Sequence, residues 1–208
     1  MVRISNERSR ARRRGPSAEA RFQARRREIL RAAAAAFRAQ GFEAAGMRDI
    51  AAAAGLSPAN LYYYFQSKDE LLFFCQDAAL DLLLEACAVA AREEPDPARR
   101  LERLVRAHLR VMFEELDGAA AHVATDALPR PLRRRIVDKR DRYERALRAV
   151  VVEGVAAGAF APCDPVLVTR ALLGALNWTA HWYRPGGGVS PAGLAHELSR
   201  YLLRGLRP

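Results

Sequence analysis

The chain has 208 residues, half of them apolar, and a formal net charge of +10. That length provides for one large domain or two small ones with ample core; no apolar run approaches the ~20 residues of a membrane helix, and no apolar core follows the N-terminal arginines as a secretion signal requires. Cys75, Cys87 and Cys163 are odd in number and far apart, and His108, His122, His181 and His196 form no close ligand pair, so neither a disulfide framework, a metal site nor a cofactor is expected.

Alanine-rich runs and scarce β-branched residues favour helix throughout. Through Arg27 the chain carries ten arginines against Glu7 and Glu19, so +8 of the excess charge lies there. Residues 1–22 therefore read as a basic arm, either a segment that binds phosphates or a minor groove or a solvated disordered tail, with an organelle-targeting peptide as the weaker option. The first helix is expected from Ala18 or Arg25 to Gln40, with Ile29, Leu30, Ala33, Ala36 and Phe37 inward and Gly41 as its stop.

The stretch from Met47 to Lys68, MRDIAAAAGLSPANLYYYFQSK, reads as a helix, a tight turn, a second short helix and the start of a third. Gly55 supplies the turn, since a left-handed residue is least strained without a Cβ. Ser57-Pro58 is a start signal, a capping hydroxyl followed by proline at the first helical position. With Leu61 and Phe65 inward and about 100° per residue, Tyr63 points directly away, Ala59 and Asn60 lie beside it, and Tyr62 and Tyr64 take the flanks. Three successive tyrosines on a short helix cannot all be core. A phenol suits a groove in which the ring packs on sugar and the hydroxyl reaches phosphate, although an aromatic patch for a protein partner has the same composition.

These residues, with the first-helix run EILRAAAAAFRAQGFEAAGM before them and KDELL after, resemble the DNA-binding domain of the TetR/AcrR family of bacterial transcriptional repressors over residues 27–72. The resemblance implies a helix-turn-helix domain over residues 23–67. Carried over position by position, it implies that Arg48 lies near a phosphate or base edge, that Ser57, Pro58, Ala59 and Asn60 enter the major groove, that Tyr62, Tyr63 and Tyr64 brace backbone and bases, and that Lys68 grips a phosphate. The chain departs from the family at Gly46-Met47, where a threonine is usual, at Ala59 for a frequent glycine and at Tyr64 for a frequent histidine, so no relative's operator transfers to it.

Beyond the tyrosines a long helix is expected from Lys68 to about Glu94, broken by Pro95 and Pro97. Asp96-Pro97, Asp164-Pro165 and Ser190-Pro191 repeat the cap-then-proline pattern and start three further helices. A shorter segment is expected near Ala119 to Leu128, and a long helix after Pro131. Its arginines, interspersed with Asp138 and Asp141, read as a solvated face. The fold class is all-α: a three-helix reading head, then a larger helical domain over residues 68–208, about nine helices together.

No nucleophile elbow, metal triad or dinucleotide fingerprint is present, which argues against an enzyme. The second domain exceeds what the head needs for stability, so pairing with a second copy and enclosing a small molecule are its expected roles. Leu172, Leu173, Leu176, Leu198, Leu202 and Leu203 are assigned to a dimer interface. His108, Leu109, Met112, Phe113, Asn177, Trp178, His181 and Trp182, aromatic and thioether groups around a few polar atoms, are assigned to effector contact.

Residues 172–206 also resemble the C-terminal domain of a TetR subgroup that controls fatty-acid and related degradation genes and responds to acyl-CoA thioesters. That implies a cytoplasmic, nucleoid-associated homodimer that represses from double-stranded DNA and is released by a small hydrophobic effector, an acyl-CoA first, with Arg133, Arg134 and Arg140 available to its phosphates. The alternatives are a multidrug-type repressor sensing hydrophobic drugs and a non-specific architectural DNA-binding protein without an effector.

Overall fold

The computed structural model describes residues 17–115, 125–184 and 186–208, and within them the chain forms α1 (Ala18–Gln40), α2 (Met47–Ala53), α3 (Pro58–Tyr64), α4 (Lys68–Glu93), α5 (Pro97–Arg110), α6 (Arg130–Ala156), α7 (Pro165–Trp182) and α8 (Pro191–Arg204). Side-chain caps mark the starts of all the described helices but α2 and α6. Ser57, Asp96, Asp164 and Ser190 each accept a backbone N–H from the first turn of α3, α5, α7 and α8, and in each case proline follows. Each such cap contributes about 1 kcal/mol and fixes where the helix begins. Among the described residues there are no strands, in agreement with the all-α expectation.

The described residues hold eight α-helices rather than about nine. Of the short segment expected before Pro129, residues 119–124 lie outside the described residues, and the rest is a single 3-10 turn at Thr125–Ala127. α1 begins at Ala18, so the last residues assigned to the arm are helical. α5 widens into one π-helical turn over Val111–Glu115.

α1, α2 and α3 pack around Ile29, Ala33, Phe37, Ile50, Leu61 and Phe65, all essentially inaccessible to solvent. α4 closes this cluster with Leu71, Leu72 and Cys75 and then continues into the body, where Ala79, Leu80 and Leu83 are buried in the same contiguous core. One helix thus belongs to both halves of the molecule. In the body α4 packs on α5 and α6, α6 on α7, and α5 on α8. Charged side chains reinforce the α4 contacts: Lys139 of α6 reaches Asp77 at 2.6 Å and Asp81 at 2.7 Å, and the Arg26 guanidinium of α1 lies over the rings of Phe65 and Phe74 at 4.9 and 4.5 Å. At the end of α6 a Cβ on Gly154 would meet the Phe160 ring at 2.1 Å. Only glycine lets that ring fold back on the helix.

Candidate nucleic-acid interface and effector cavity

The head presents a helix-turn-helix. Gly55 takes φ +63, and the Gly55 and Leu56 amides return to Ala52 and Ala51 at 3.0 and 2.8 Å, which closes α2 within one residue of the corner. At the start of α2, where Gly46 offers no side chain, the Asp49 carboxylate accepts the Gly46 N–H at 3.2 Å. Ser57 caps α3 through the Asn60 N–H at 3.2 Å.

With Leu61 and Phe65 fully buried, α3 turns Tyr63 outward at 75% exposure and Tyr62 at 50%, and Ser57, Pro58, Ala59, Asn60 and Arg48 are also exposed. Tyr64 is only half-exposed, because it stacks on Phe22 of α1 at 5.0 Å with the rings 24° apart. Phe22 also meets Tyr63 edge-on at 6.0 Å, and Tyr63 meets Tyr64 at 5.2 Å. Three residues along α1, Arg25 donates to the Ala54 carbonyl at the end of α2 at 2.8 Å. Phe22 and Arg25 are therefore part of the reading head, a role that sequence reasoning missed by placing Phe22 in the arm. The available signal was Phe22 itself, a lone aromatic seven residues before Ile29, two helical turns away on the buried face.

Lys68 is half-buried. Its ammonium donates to the Phe42 and Glu43 carbonyls at 2.8 and 3.1 Å and lies 4.4 Å from the centre of the Phe42 ring. Two of its three N–H groups hold the α1–α2 connection to the start of α4, which leaves one for a phosphate.

The body separates the residues that sequence reasoning grouped. On α7 the inward face carries Thr169, Leu172, Leu176 and Thr179, all buried. Of the leucines assigned to a dimer interface, Leu172, Leu176 and Leu203 are buried within this chain, and Leu173, Leu198 and Leu202 are half-buried. The outward face carries Leu167, Trp178, His181 and Trp182, exposed, with Trp178 stacked on His181 at 4.2 Å. Trp178, His181 and Trp182 line neither of the two cavities described below. The reason is geometric: α7 is apolar on both faces, so spacing along it cannot say which one is inside.

A cavity of about 190 Å³ does lie between α4, α5, α6 and α7, and its lining includes His108 and Asn177 of the predicted set. Leu109, Met112 and Phe113 are buried core, Phe113 meeting Tyr183 edge-on at 4.7 Å. The His108 ring stacks near Tyr143, with Nδ1 hydrogen-bonded to the phenol oxygen at 3.0 Å. Burial pushes the imidazole down to about 4, with a hydrogen bond to Asn177 pulling weakly the other way. The ring is therefore uncharged at neutral pH. Burial raises the Tyr143 phenol well above its ordinary range, so it too stays neutral. Arg140 lines the cavity as well, whereas Arg133 pairs with Asp126 at 3.5 Å and Arg134 is exposed.

A larger open groove of about 790 Å³ runs between α4, α5 and α8. Four arginines of α5 line it, but Arg103 meets Glu93 at 2.6 Å and Arg106 meets Glu102 at 2.5 Å, with Glu85 and Glu114 also on its walls. That is a lattice of surface ion pairs rather than an anion site.

A helix-turn-helix head with an open tyrosine face, joined through one shared helix to a larger helical body, defines a DNA-binding transcriptional regulator. Residues 29–73 match the bacterial regulatory proteins of the tetR family, and residues 94–206 match the tetracyclin repressor-like C-terminal domain. The chain belongs to the TetR family, whose members regulate transcription and are not enzymes. It is 30% identical over 191 residues to the HTH-type transcriptional repressor KstR2 of Rhodococcus jostii, a match that spans 88% of this chain and 91% of that one. Among solved structures, the TetR family regulator PfmR of Thermus thermophilus superposes with a TM-score of 0.76 at 36% identity, covering 86% of this chain and 99% of its own. AibR in complex with isovaleryl coenzyme A and operator DNA gives 0.72 at 25% identity, covering 86% and 98%.

Proposed function

We propose that this regulator represses transcription as a homodimer on a palindromic operator and is released by a small hydrophobic effector held between α4, α5, α6 and α7. The observation that carries this reading is α4, which begins beside the recognition helix α3 and runs past the cavity through Leu80 and Leu83. Two copies place two recognition helices about 34 Å apart, one turn of DNA. An effector that prefers a body conformation with a different separation lowers DNA affinity by its differential binding to the two states. Arg48, Ser57, Asn60, Tyr62 and Tyr63 contact the duplex, while Tyr64 holds the face in place and Lys68 offers at most a single N–H. The exposed Leu167, Trp178 and Trp182 form the apolar face on which the second copy docks.

An acyl-CoA is the effector class favoured first, because AibR was solved with isovaleryl coenzyme A together with operator DNA. The cavity sharpens that choice. Its volume falls below the 300–1,000 Å³ or so typical of drug-sized ligand pockets, so it takes a short acyl group and leaves the coenzyme outside, next to Arg140. The setting is the cytoplasm, where operator and thioester meet.

Fluorescence anisotropy on a labelled fragment of the gene's own upstream region, titrated with acyl-CoAs of increasing chain length and with hydrophobic drugs, tests the reading. Release is expected with short acyl chains. Unchanged affinity across the thioesters, with release by drugs, moves the protein to the multidrug class. A steep salt dependence without sequence preference turns it into an architectural binder.

A further inference from the structure

The basic run of α6 reads in sequence as a solvated face, but its charges are not evenly mixed. Residues 130–135 hold Arg130, Arg133, Arg134 and Arg135 and no carboxylate, whereas Asp138, Asp141 and Glu144 fall among the basic residues that follow. Arg133 pairs with Asp126 at 3.5 Å, and Arg135 lies over the Phe73 ring at 4.6 Å. Arg130 and Arg134 are exposed, and among the described residues neither forms an ion pair, not even with Asp138 one turn beyond Arg134. A solvated face of ion pairs balances its charge locally. This end of α6 does not.

Where that end lies follows from the packing of α6 on α4. Arg135 meets Phe73, Lys139 meets Asp77 and Asp81, and Arg140 and Tyr143 line the cavity together with Leu80 and Leu83, so the two helices run parallel and in step. Followed back along both, the same register brings their first residues, Lys68 and Arg130, level with each other, directly after the recognition helix. The junction with the head is closed: Phe73 meets Phe74 at 5.2 Å, and Arg26 of α1 lies over Phe74 at 4.5 Å. One turn earlier on α1 stands Phe22, stacked on Tyr64. Arg140, at the cavity, is about 15 Å along α6 from Arg130 at 1.5 Å per residue. Arg130 and Arg134 therefore belong to the end of the body that adjoins the reading head, and they extend its cationic surface.

We propose that Arg130 and Arg134 form a second DNA contact, on the body rather than the head, which grips backbone phosphates outside the groove that α3 enters and reads no sequence. The inference rests on the operator reading above and adds a surface to it. A duplex carries about one negative charge per 1.7 Å of its length, so a protein seated on it through α3 has phosphates on either side of the groove. An exposed guanidinium presents a fork of N–H donors that matches a phosphate, and a pair of them held on one rigid helix makes such a contact without ordering a loop.

The test compares the full-length protein with Arg130→Gln/Arg134→Gln, and with Arg142→Gln/Arg145→Gln as a control that removes the same charge from exposed positions further along α6. Anisotropy is measured on a duplex from the gene's own upstream region and on a scrambled duplex of equal length, from about 50 to 200 mM salt. With roughly 0.9 of slope per phosphate contact and two arginines in each of two subunits, the first pair is expected to flatten the plot of log affinity against log salt by about 2 to 3.5. Affinity at the lowest salt should fall about 10-fold or more on both duplexes alike, leaving their ratio unchanged. Arg134→Gln alone should give about half that change in slope, and the control pair less than about 1. Equal slopes from the two pairs would reduce the effect to net charge and overturn the proposal, as would an unchanged slope in the first pair or a loss confined to the gene's own duplex. Weakened release by acyl-CoA with DNA affinity intact would hand the two arginines to the coenzyme instead. A flattened slope in a protein that never prefers its own duplex keeps the phosphate contact and removes the operator reading.

Discussion

Two exposed aromatic faces, one on α3 of the head and one on α7 of the body, differ in kind. On α3, Tyr62 and Tyr63 are 50% and 75% exposed beside the polar Ser57 and Asn60. On α7, Trp178 and Trp182 are 62% and 53% exposed beside Leu167, Ala171 and Gly174. The tyrosines carry hydroxyls for phosphate and base edges and stand on a head whose first helix exposes Arg21 and Arg27. The indoles sit over small and aliphatic neighbours, a surface that fits another protein surface of the same kind. Aromatic exposure alone signals a partner. Its neighbours indicate which kind.

This contrast breaks first at the tryptophans. Trp178→Glu together with Trp182→Glu is expected to yield a monomer by analytical ultracentrifugation and to lower operator affinity by roughly 100-fold or more, since one head then reads only half a site. A stable dimer in that variant would move the interface elsewhere. Tyr63→Ala is expected to keep the dimer and weaken specific operator binding by about 5- to 150-fold, the range of 1–3 kcal/mol for a good base contact; a monomer here would make the two faces alike. The smallest effect is expected from Phe22→Ala, because Phe22 acts on the reading face only through its ring contacts with Tyr64 and Tyr63. Anisotropy should show a loss of only about 2- to 10-fold, in line with the 0.5–1.5 kcal/mol of an aromatic pair, with the slope of affinity against salt unchanged because no cation is removed.

The head was largely legible because its signals are local. Ser57 and Pro58 start α3, Gly55 ends α2, and Leu61 with Phe65 fixes which way Tyr63 points. Lys68 shows the limit of that reasoning: its bonds run to Phe42 and Glu43, about 25 residues away in sequence, and only the folded α1–α2 connection brings those carbonyls near. In the body, the cap-proline pairs placed α5, α7 and α8, yet the apolar residues of α7 revealed their spacing and not their direction: Leu172 and Leu176 face inward and Trp178 and Trp182 outward. His108 and Asn177 stood out as polar residues on apolar helices. Tyr143 did not, because it sits in a charged run that is solvated on one face and lines the cavity on the other, and Arg140 of the same run was singled out only through the acyl-CoA resemblance.

The stacking of Phe22 on Tyr64 bears on how a shortened form of this protein would behave. Trimming the arginine-rich leader back to Ser17 leaves the recognition helix its lateral support, whereas trimming six residues further takes away the ring against which Tyr64 leans. Weak operator binding after the longer cut would look like the loss of a cationic grip on the duplex, when what had gone was the backstop of the very helix that does the reading.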